Sequence, residues 1–288
     1  MNNGEKNKVL PSTLYLVGTP IGNLSDISER AKKVLSEVDF IGAEDTRNSA
    51  KLLMALGIKK ELVSYFEHNK KASGEKILAR LLSGESCAII TDAGMPAISD
   101  PGEDIVRLCA EAGITVSVIP GPSAAVSALA LSALSSKRFT FEGFLSAQKN
   151  ERIKALENLR YEERTMIFYE APHKLKTTLS DMCDVFGEKR KISLARELTK
   201  INEEVIRTTL GAAIALYEEK EPRGEYVLVL EGAEEAGAIK EEENPLTSLT
   251  PEEHVKKYES DGLSRMDAIK KAARDRGMSK SEFYKLLI

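Results

Sequence analysis

The chain of 288 residues predicts an α/β fold: two α/β lobes with a cleft between them, followed by a small C-terminal helical domain of helix-turn-helix type. Three features point there. Short apolar runs repeatedly empty into loops of Gly, Pro and Asp; a helix start follows each such loop; and a Glu-rich stretch separates this body from a series of capped helices. Strands that alternate with helices build parallel sheets, and the loops at the carboxyl ends of those strands line the usual ligand crevice of an α/β protein.

The first strand is the apolar Leu14-Tyr15-Leu16-Val17, which runs into Gly18-Thr19-Pro20-Ile21-Gly22-Asn23. Ser25 or Asp26 then caps a helix whose apolar positions Ala31, Val34, Leu35 and Val38 fall at helical spacing. Ser86 to Ile90 reads as a buried strand that opens into Thr91-Asp-Ala-Gly-Met-Pro96, and Asp100 with Pro101 starts the next helix as N-cap and first helical residue. Val116 to Ile119 runs into Pro120-Gly-Pro-Ser123, followed by an Ala-rich helix from Ala124 to Leu134. One such loop is an ordinary connection. Three that leave the same end of a parallel sheet define a crevice. Its ligand is not one of the familiar nucleotides, because no G-x-G-x-x-G follows a strand and no G-x-x-x-x-G-K-[ST] occurs.

Alternation resumes from Phe139 to Leu230, where Thr165 to Tyr169, Ile192 to Arg196, Val205 to Leu210 and Tyr226 to Leu230 read as strands. The first lobe is expected to be parallel and the second mixed. The boundaries follow as a tail over 1–12, lobes over 13–136 and 137–231, an acidic linker over 232–247 and a helical domain over 248–288. Glu231 to Asn244 holds six Glu against one Lys, the composition of a linker. Beyond it, Thr250-Pro-Glu-Glu253 is a capping box, Ser264 to Asp267 caps a second helix and Ser279 to Glu282 a third. Ala273-x-x-x-Gly277 forms the turn between the last two. Arg274, Arg276, Lys280 and Lys285 leave two readings, a nucleic-acid contact or a helical appendage that packs on the body or on another subunit.

Forty-one Lys and Arg against 45 Asp and Glu give a net charge of −4, so the surface as a whole is not that of a nucleic-acid binder. Lys137, Arg138, Lys149, Arg152 and Lys154 are either a local basic patch or a solvated helix face. Charges interrupt every long apolar stretch, and Met1 to Lys8 lacks the apolar core of a signal peptide, so a cytoplasmic protein with no membrane span is expected. The three Cys and three His are widely spaced, and no metal is expected.

Seven strings together carry a family resemblance: Gly18-Thr-Pro-Ile-Gly-Asn-Leu24, Ala43-Glu-Asp-Thr-Arg47, Thr91-Asp-Ala-Gly-Met-Pro96 with Ile98-Ser-Asp-Pro-Gly102, Ile119-Pro-Gly-Pro-Ser123, Phe168-Tyr-Glu-Ala-Pro-His173, Ala195-Arg-Glu-Leu-Thr-Lys200 and Arg223-Gly-Glu-Tyr-Val227. From about Leu14 to Gly232, in family order, the chain resembles the bacterial 16S rRNA (cytidine-2′-O)-methyltransferases of the tetrapyrrole methylase superfamily. The resemblance implies S-adenosylmethionine as cofactor in the cleft between the lobes, the 16S rRNA of the small ribosomal subunit as partner, and a homodimer. It also implies that Pro20, Asp92, Gly94, Met95, Ser123 and Ala124 line the cofactor pocket, with Phe168 and Leu198 closing over it from the second lobe. Methyl transfer to a ribose hydroxyl needs alignment of the reacting atoms and an acceptor for the hydroxyl proton. Glu170 and Asp45 are the first candidates for that acceptor, and Arg47, Asn48, His173, Arg196, Glu197 and Lys200 are the candidates for RNA contact. Two departures from the family pattern stand out: Met95 replaces a small hydroxyl residue, and Leu131-Ser-Ala-Leu-Ser-Ser-Lys137 replaces a Gly-Leu-Pro-Thr-Asp string. Other readings are a C-methyltransferase of tetrapyrrole precursors and a non-enzymatic, nucleic-acid-binding ligand sensor.

Overall fold

A computed structural model describes residues 8–100, 102–233, 246, 249–276, 278 and 280–287, excepting the side chains of 274 and 280–282. It divides into two compact units, one through Gly232 and one from Ala233. The first unit opens with β1 (Thr13–Val17), α1 (Glu29–Glu37), β2 (Phe40–Ala43), α2 (Thr46–Ala55), β3 (Glu61–Ser64), α3 (Lys70–Leu82), β4 (Cys87–Ile90), α4 (Gly102–Glu111) and β5 (Thr115–Ile119). These strands form one sheet in the order β3-β2-β4-β1-β5, parallel throughout. Helices α1 and α2 set Ala31, Val34, Leu35 and Leu53 against Tyr15, Val17, Ile41 and Ile90 on one face. Helices α3 and α4 set Ile77, Leu81, Ile105 and Cys109 against Leu14, Phe40, Cys87 and Ile89 on the other. The helices that follow the adjacent strands β1 and β4 therefore lie on opposite faces, and a crevice opens at the carboxyl ends of those two strands.

Capping fixes where α1 begins, and it corrects the sequence expectation. Ser28 accepts a hydrogen bond from the Ala31 amide at 3.0 Å and is the N-cap, whereas Ser25 and Asp26 belong to a short 3₁₀ turn, Leu24–Asp26, capped by Asn23. Ile27, between the two caps, is buried, so a helix starting earlier would carry it out of the core.

A second sheet follows, of β6 (Phe139–Phe144), β7 (Thr165–Glu170), β8 (Lys191–Arg196), β9 (Glu204–Thr209) and β10 (Tyr226–Leu230). Its order is β6-β7-β10-β8-β9; β6 and β7 are parallel and the other neighbours antiparallel. Period-two alternation splits the central β10 between two cores. Tyr226, Leu228 and Leu230 pack with α6 (Lys149–Asn158), α7 (Pro172–Phe186) and α8 (Leu210–Glu219), while Val227 and Val229 pack with α5 (Ala124–Leu131). Because α5 leaves the first sheet through β5 and packs on the second, it joins the two halves of this unit. It ends at Leu131, before the expected Leu134, where the Ser132 hydroxyl donates to the Leu129 carbonyl and Ala133 takes φ +61°. Leu210, read as the last residue of a strand, starts α8 behind its N-cap Thr209.

Arg152 leaves the expected basic patch. Its side chain is buried, with Nε donating to Asp181 at 2.6 Å and Nη1 to the carbonyls of Ser146 and Ala147. It ties α6 to α7, and Lys137, Arg138, Lys149 and Lys154 are the exposed members of that group.

The second unit contains α9 (Pro251–Ser260), α10 (Arg265–Asp275) and α11 (Lys280–Lys285) around Val255, Tyr258, Ala268, Ile269, Ala272 and Phe283. Thr250 and Glu253 form the capping box, and Ser264 caps α10. Arg276 turns inward to His254 Nδ1 and the Leu249 carbonyl, bracing the unit. The tail over 1–7, Pro101, the linker over 234–245, Gly277, Ser279 and the side chains of Arg274 and Lys280 lie outside the described residues. Among the described residues no helix is long and apolar enough to cross a membrane.

Removing one partner of a buried ion pair leaves the other charge without compensation. Asp181→Ala is expected to cost about 3–5 kcal/mol in urea unfolding, and Arg152→Met with Asp181→Leu to restore most of it. A loss below about 1 kcal/mol, the range of exposed pairs, would contradict the role given to this pair.

Candidate active site

The loops after β1, β4 and β5 meet through their backbones. Thr19 and Gly94 exchange both hydrogen bonds, at 2.9 and 3.2 Å; the Gly18 amide donates to the Ile119 carbonyl at 3.1 Å; and the Thr19 hydroxyl donates to the Thr91 carbonyl at 3.1 Å. Gly18 and Gly121 touch so closely that a Cβ on Gly18 would stand 2.7 Å from the Gly121 Cα, and one on Gly121 2.8 Å from the Gly18 Cα. Only glycine permits this approach. Met95 completes the junction, its sulfur accepting from the Gly121 amide at 3.2 Å. That contact gives the unusual Met95 a structural task, filling the angle between two glycine loops with a soft acceptor.

Polar side chains gather at the same strand ends. Asn48 donates to Asp92 at 3.0 Å and Thr91 to Glu44 at 2.9 Å, linking the ends of β2 and β4. Asp45 caps α2 by accepting from the Arg47 amide at 2.8 Å, and the Arg47 guanidinium, 86% exposed, doubles back onto the same carboxylate at 2.9 Å. These hydrogen bonds from Arg47 pull the Asp45 carboxyl down to about 2. The structure thus brings Asp45, Arg47, Asn48 and Asp92 into one cluster.

In the loop after β8, Leu198 joins a hydrophobic cluster with Ala125 and Ala195, against which Ile21 and Ala124 also pack. Ser123 caps α5 without using its side chain, and Pro20 and Ala124 are half-buried beside it. The loop after β8 is strained, with φ +51° at Glu197 and +65° at Thr199, and the Thr199 hydroxyl is buried without a hydrogen-bond partner among the described residues. Arg196 pairs with Glu204 at 3.1 Å, and Lys200 bridges Glu197 and Glu225 at 2.8 Å each. Arg196, Glu197 and Lys200 therefore brace this loop. Lys200 holds the Glu197 carboxyl below its ordinary value.

Two expectations change here. Phe168 is 0% exposed and packs with Met166, Leu228 and the helices α6, α7 and α8, on the face of the second sheet away from α5. Strand alternation instead turns its neighbour Tyr169 toward α5, so the Phe168 side chain does not face that side. Glu170 is 3% exposed, and its two oxygens accept from the Ala171 amide at 2.8 Å and the Thr178 hydroxyl at 2.5 Å. It secures the start of α7, whose first turn carries His173 outward. Sequence reasoning missed Thr19, whose role depends on a bridge to Gly94, and Tyr169, which period two within β7 assigns to the opposite face from Phe168.

Among the described residues, no three His, Cys, Asp or Glu side chains converge to hold a metal ion. A groove of about 450 Å³ lies between α3 and α4, lined by Tyr65, Lys70, Gly74, Asp104, Ile105 and Arg107 among others. None of the residues of the three loops lines it. The junction and its polar rim stand at the carboxyl ends of adjacent parallel strands, where α/β sheets bind their ligands, whereas the groove lies between two helices and its Lys70 and Asp104 pair with each other.

The family model described as Tetrapyrrole (Corrin/Porphyrin) Methylases matches residues 13–214. A Bacillus subtilis protein named ribosomal RNA small subunit methyltransferase I is 48% identical over 271 residues, covering 94% of this chain and 92% of the relative. A protein of the same name from Halalkalibacterium halodurans is 46% identical, with 95% and 94% covered. Among solved structures, uroporphyrin-III-C-methyltransferase from Thermus thermophilus superposes with a TM-score of 0.55 at 20% identity, over 76% of this chain and 94% of that one. Diphthine synthase superposes with a TM-score of 0.59 at 15% identity, over 76% and 90%.

A carboxyl whose folded pKa is depressed contributes stability above its unfolded value and loses it as pH falls through the folded one. The Asp45 cap of α2 is expected to persist at pH 4 and to loosen as pH falls toward 2. Arg47→Met should return the carboxyl toward 4, which NMR titration of the Asp45 side chain measures. An unmoved titration would show that Arg47 is not its cause.

Proposed function

The chain belongs to the tetrapyrrole (corrin/porphyrin) methylase family of methyltransferases, and from that premise we propose that it transfers a methyl group from S-adenosylmethionine to small-subunit rRNA, at the 2′-oxygen of a cytidine in the decoding region. One observation carries the choice of RNA. Proteins named for small-subunit rRNA methylation are 48% and 46% identical to this chain over 94–95% of its length, whereas the porphyrin C-methyltransferase is 20% identical over 76% and supports a common fold.

The residues fit such a cofactor. The Gly18–Gly121 junction leaves backbone groups in place of side chains, Asp92 presents a carboxylate fixed by Asn48, and the buried Thr199 hydroxyl has hydrogen-bonding capacity to spare. Bound there, S-adenosylmethionine supplies a methyl group on a sulfonium, open to in-line attack. The loops position the ligand and Leu198, with Ile21 and Ala124, excludes water. Of the two carboxylates considered for the ribose proton, Glu170 is buried whereas Asp45 is reachable at the strand ends, so the role falls to Asp45, whose basicity rises once an RNA phosphate draws Arg47 away from it. Arg47 and His173, both exposed, are the contacts for RNA phosphates. A homodimer is part of the same reading. The setting is the cytoplasm, where small subunits are found.

Methyl transfer from labelled S-adenosylmethionine, offered small subunits, naked rRNA and a porphyrinogen in parallel, tests this reading. Label on a cytidine 2′-oxygen is the expected result; label on the porphyrinogen alone would overturn it. Asp92→Ala should weaken cofactor binding about 10- to 100-fold by calorimetry, the loss of one hydrogen bond to a charged group. Unchanged affinity would remove Asp92 from the pocket.

A further inference from the structure

An irregularity in β6 decides which way one aromatic side chain faces. Phe139, Thr140 and Phe141 pair in register with Thr165, Met166 and Ile167, but a bulge then intervenes, and Gly143 pairs with Phe168 and Phe144 with Tyr169. The extra residue, Glu142, is held by the Thr140 hydroxyl at 2.5 Å. Without the bulge, Glu142 would oppose Phe168 and Gly143 would oppose Tyr169, sending Phe144 to the face packed by α6, α7 and α8. With it, Phe144 shares the face of Phe141, Tyr169 and α5. Bulges re-aim side chains in this manner beside functional sites.

The surroundings place Phe144 at the rim of the cleft. Gly143 takes φ +63° and is buried so closely against the loop after β4 that a Cβ there would stand 3.2 Å from Ser99 Oγ. Phe144 leans on Tyr169 with ring centroids 5.4 Å apart, and Tyr169 is held in turn by an edge contact from Phe141 at 5.0 Å and by the backbone of Ala125 at its hydroxyl. Ala125 follows Ser123 and Ala124, the turn after β5. Yet Phe144 is 60% exposed, while Leu145 beside it is buried. A phenyl ring backed on one side and open on the other presents a fixed, amphipathic π-face to solvent. Five residues on, the exposed Lys149 opens α6 with no carboxylate paired to it among the described residues, the charge a nucleic-acid backbone requires.

We propose that the Phe144 ring, backed by Tyr169, is the stacking platform for an unpaired nucleobase of the rRNA substrate, with Lys149 taking an adjacent phosphate. This rests on the rRNA reading above. Sequence-specific proteins take single-stranded RNA by stacking splayed bases on aromatic side chains, and a ribose delivered to a cleft brings its own base to the rim.

The chain contains no tryptophan, so Phe144→Trp installs a single indole reporter at the platform. Adding a single-stranded, cytidine-containing hexaribonucleotide is expected to quench its emission. Phe144→Leu keeps the bulk of an exposed side chain while removing the π-face, and should raise KM for subunits roughly 5- to 150-fold with cofactor affinity unchanged. Wild-type KM for Phe144→Leu, or an indole emission indifferent to the oligonucleotide, would overturn the platform. So would a change in oligomeric state in Phe144→Leu, which would assign the ring to a protein interface. A wild-type chain that leaves subunits unmethylated would instead defeat the rRNA reading, while the indole emission would still report on stacking.

Discussion

The contact between Gly18 and Gly121 is the constraint on which the site depends. Two loops, from the adjacent strands β1 and β5, approach until neither tolerates a Cβ, and the bridge between Thr19 and Gly94 draws in the loop after β4. A surface built this way offers amides and carbonyls at fixed positions, with little side-chain freedom to lose when a ligand binds. The sheet order makes the approach possible, because β1 lies between β4 and β5 and all three end together. Moving any of these strands by one position in the sheet would separate the loops.

Charge is used in two distinct ways around this junction. Buried or half-buried pairs brace elements: Arg152 with Asp181 joins two helices, and Lys200 with Glu197 and Glu225 fixes a strained loop. Exposed groups at the strand ends, Arg47 above all, remain open to a charged partner. A net charge of −4 is compatible with an anionic partner once bracing charges are separated from presented ones, since most carboxylates at these positions already serve a cation or an amide.

The loops were legible in the sequence because Gly, Pro and Asp between apolar runs report backbone requirements that are local. The parallel first sheet and mixed second sheet followed from the same alternation. Side-chain direction was less legible. Phe168 reads as a pocket residue because it sits in a motif, yet parity within β7 turns it into the core and brings out Tyr169. The bulge at Glu142 leaves no periodic trace, so the facing of Phe144 depends on pairing with β7, a tertiary fact. Arg152 looks like one more basic residue on a basic helix, and only the approach of α7 with Asp181 reveals its burial. Ser28 rather than Ser25 caps α1 for a similar reason: the burial of Ile27 chooses between cap candidates that local chemistry leaves equal.

The claim that the glycine junction is the cofactor site is tested most directly by calorimetric titration of S-adenosylmethionine into the wild-type chain and into Gly121→Val, with circular dichroism to establish that the variant is folded. The account predicts one site per wild-type chain and no detectable binding to the folded variant, whose branched side chain has no room between the loops. Wild-type affinity in a folded Gly121→Val chain would contradict it.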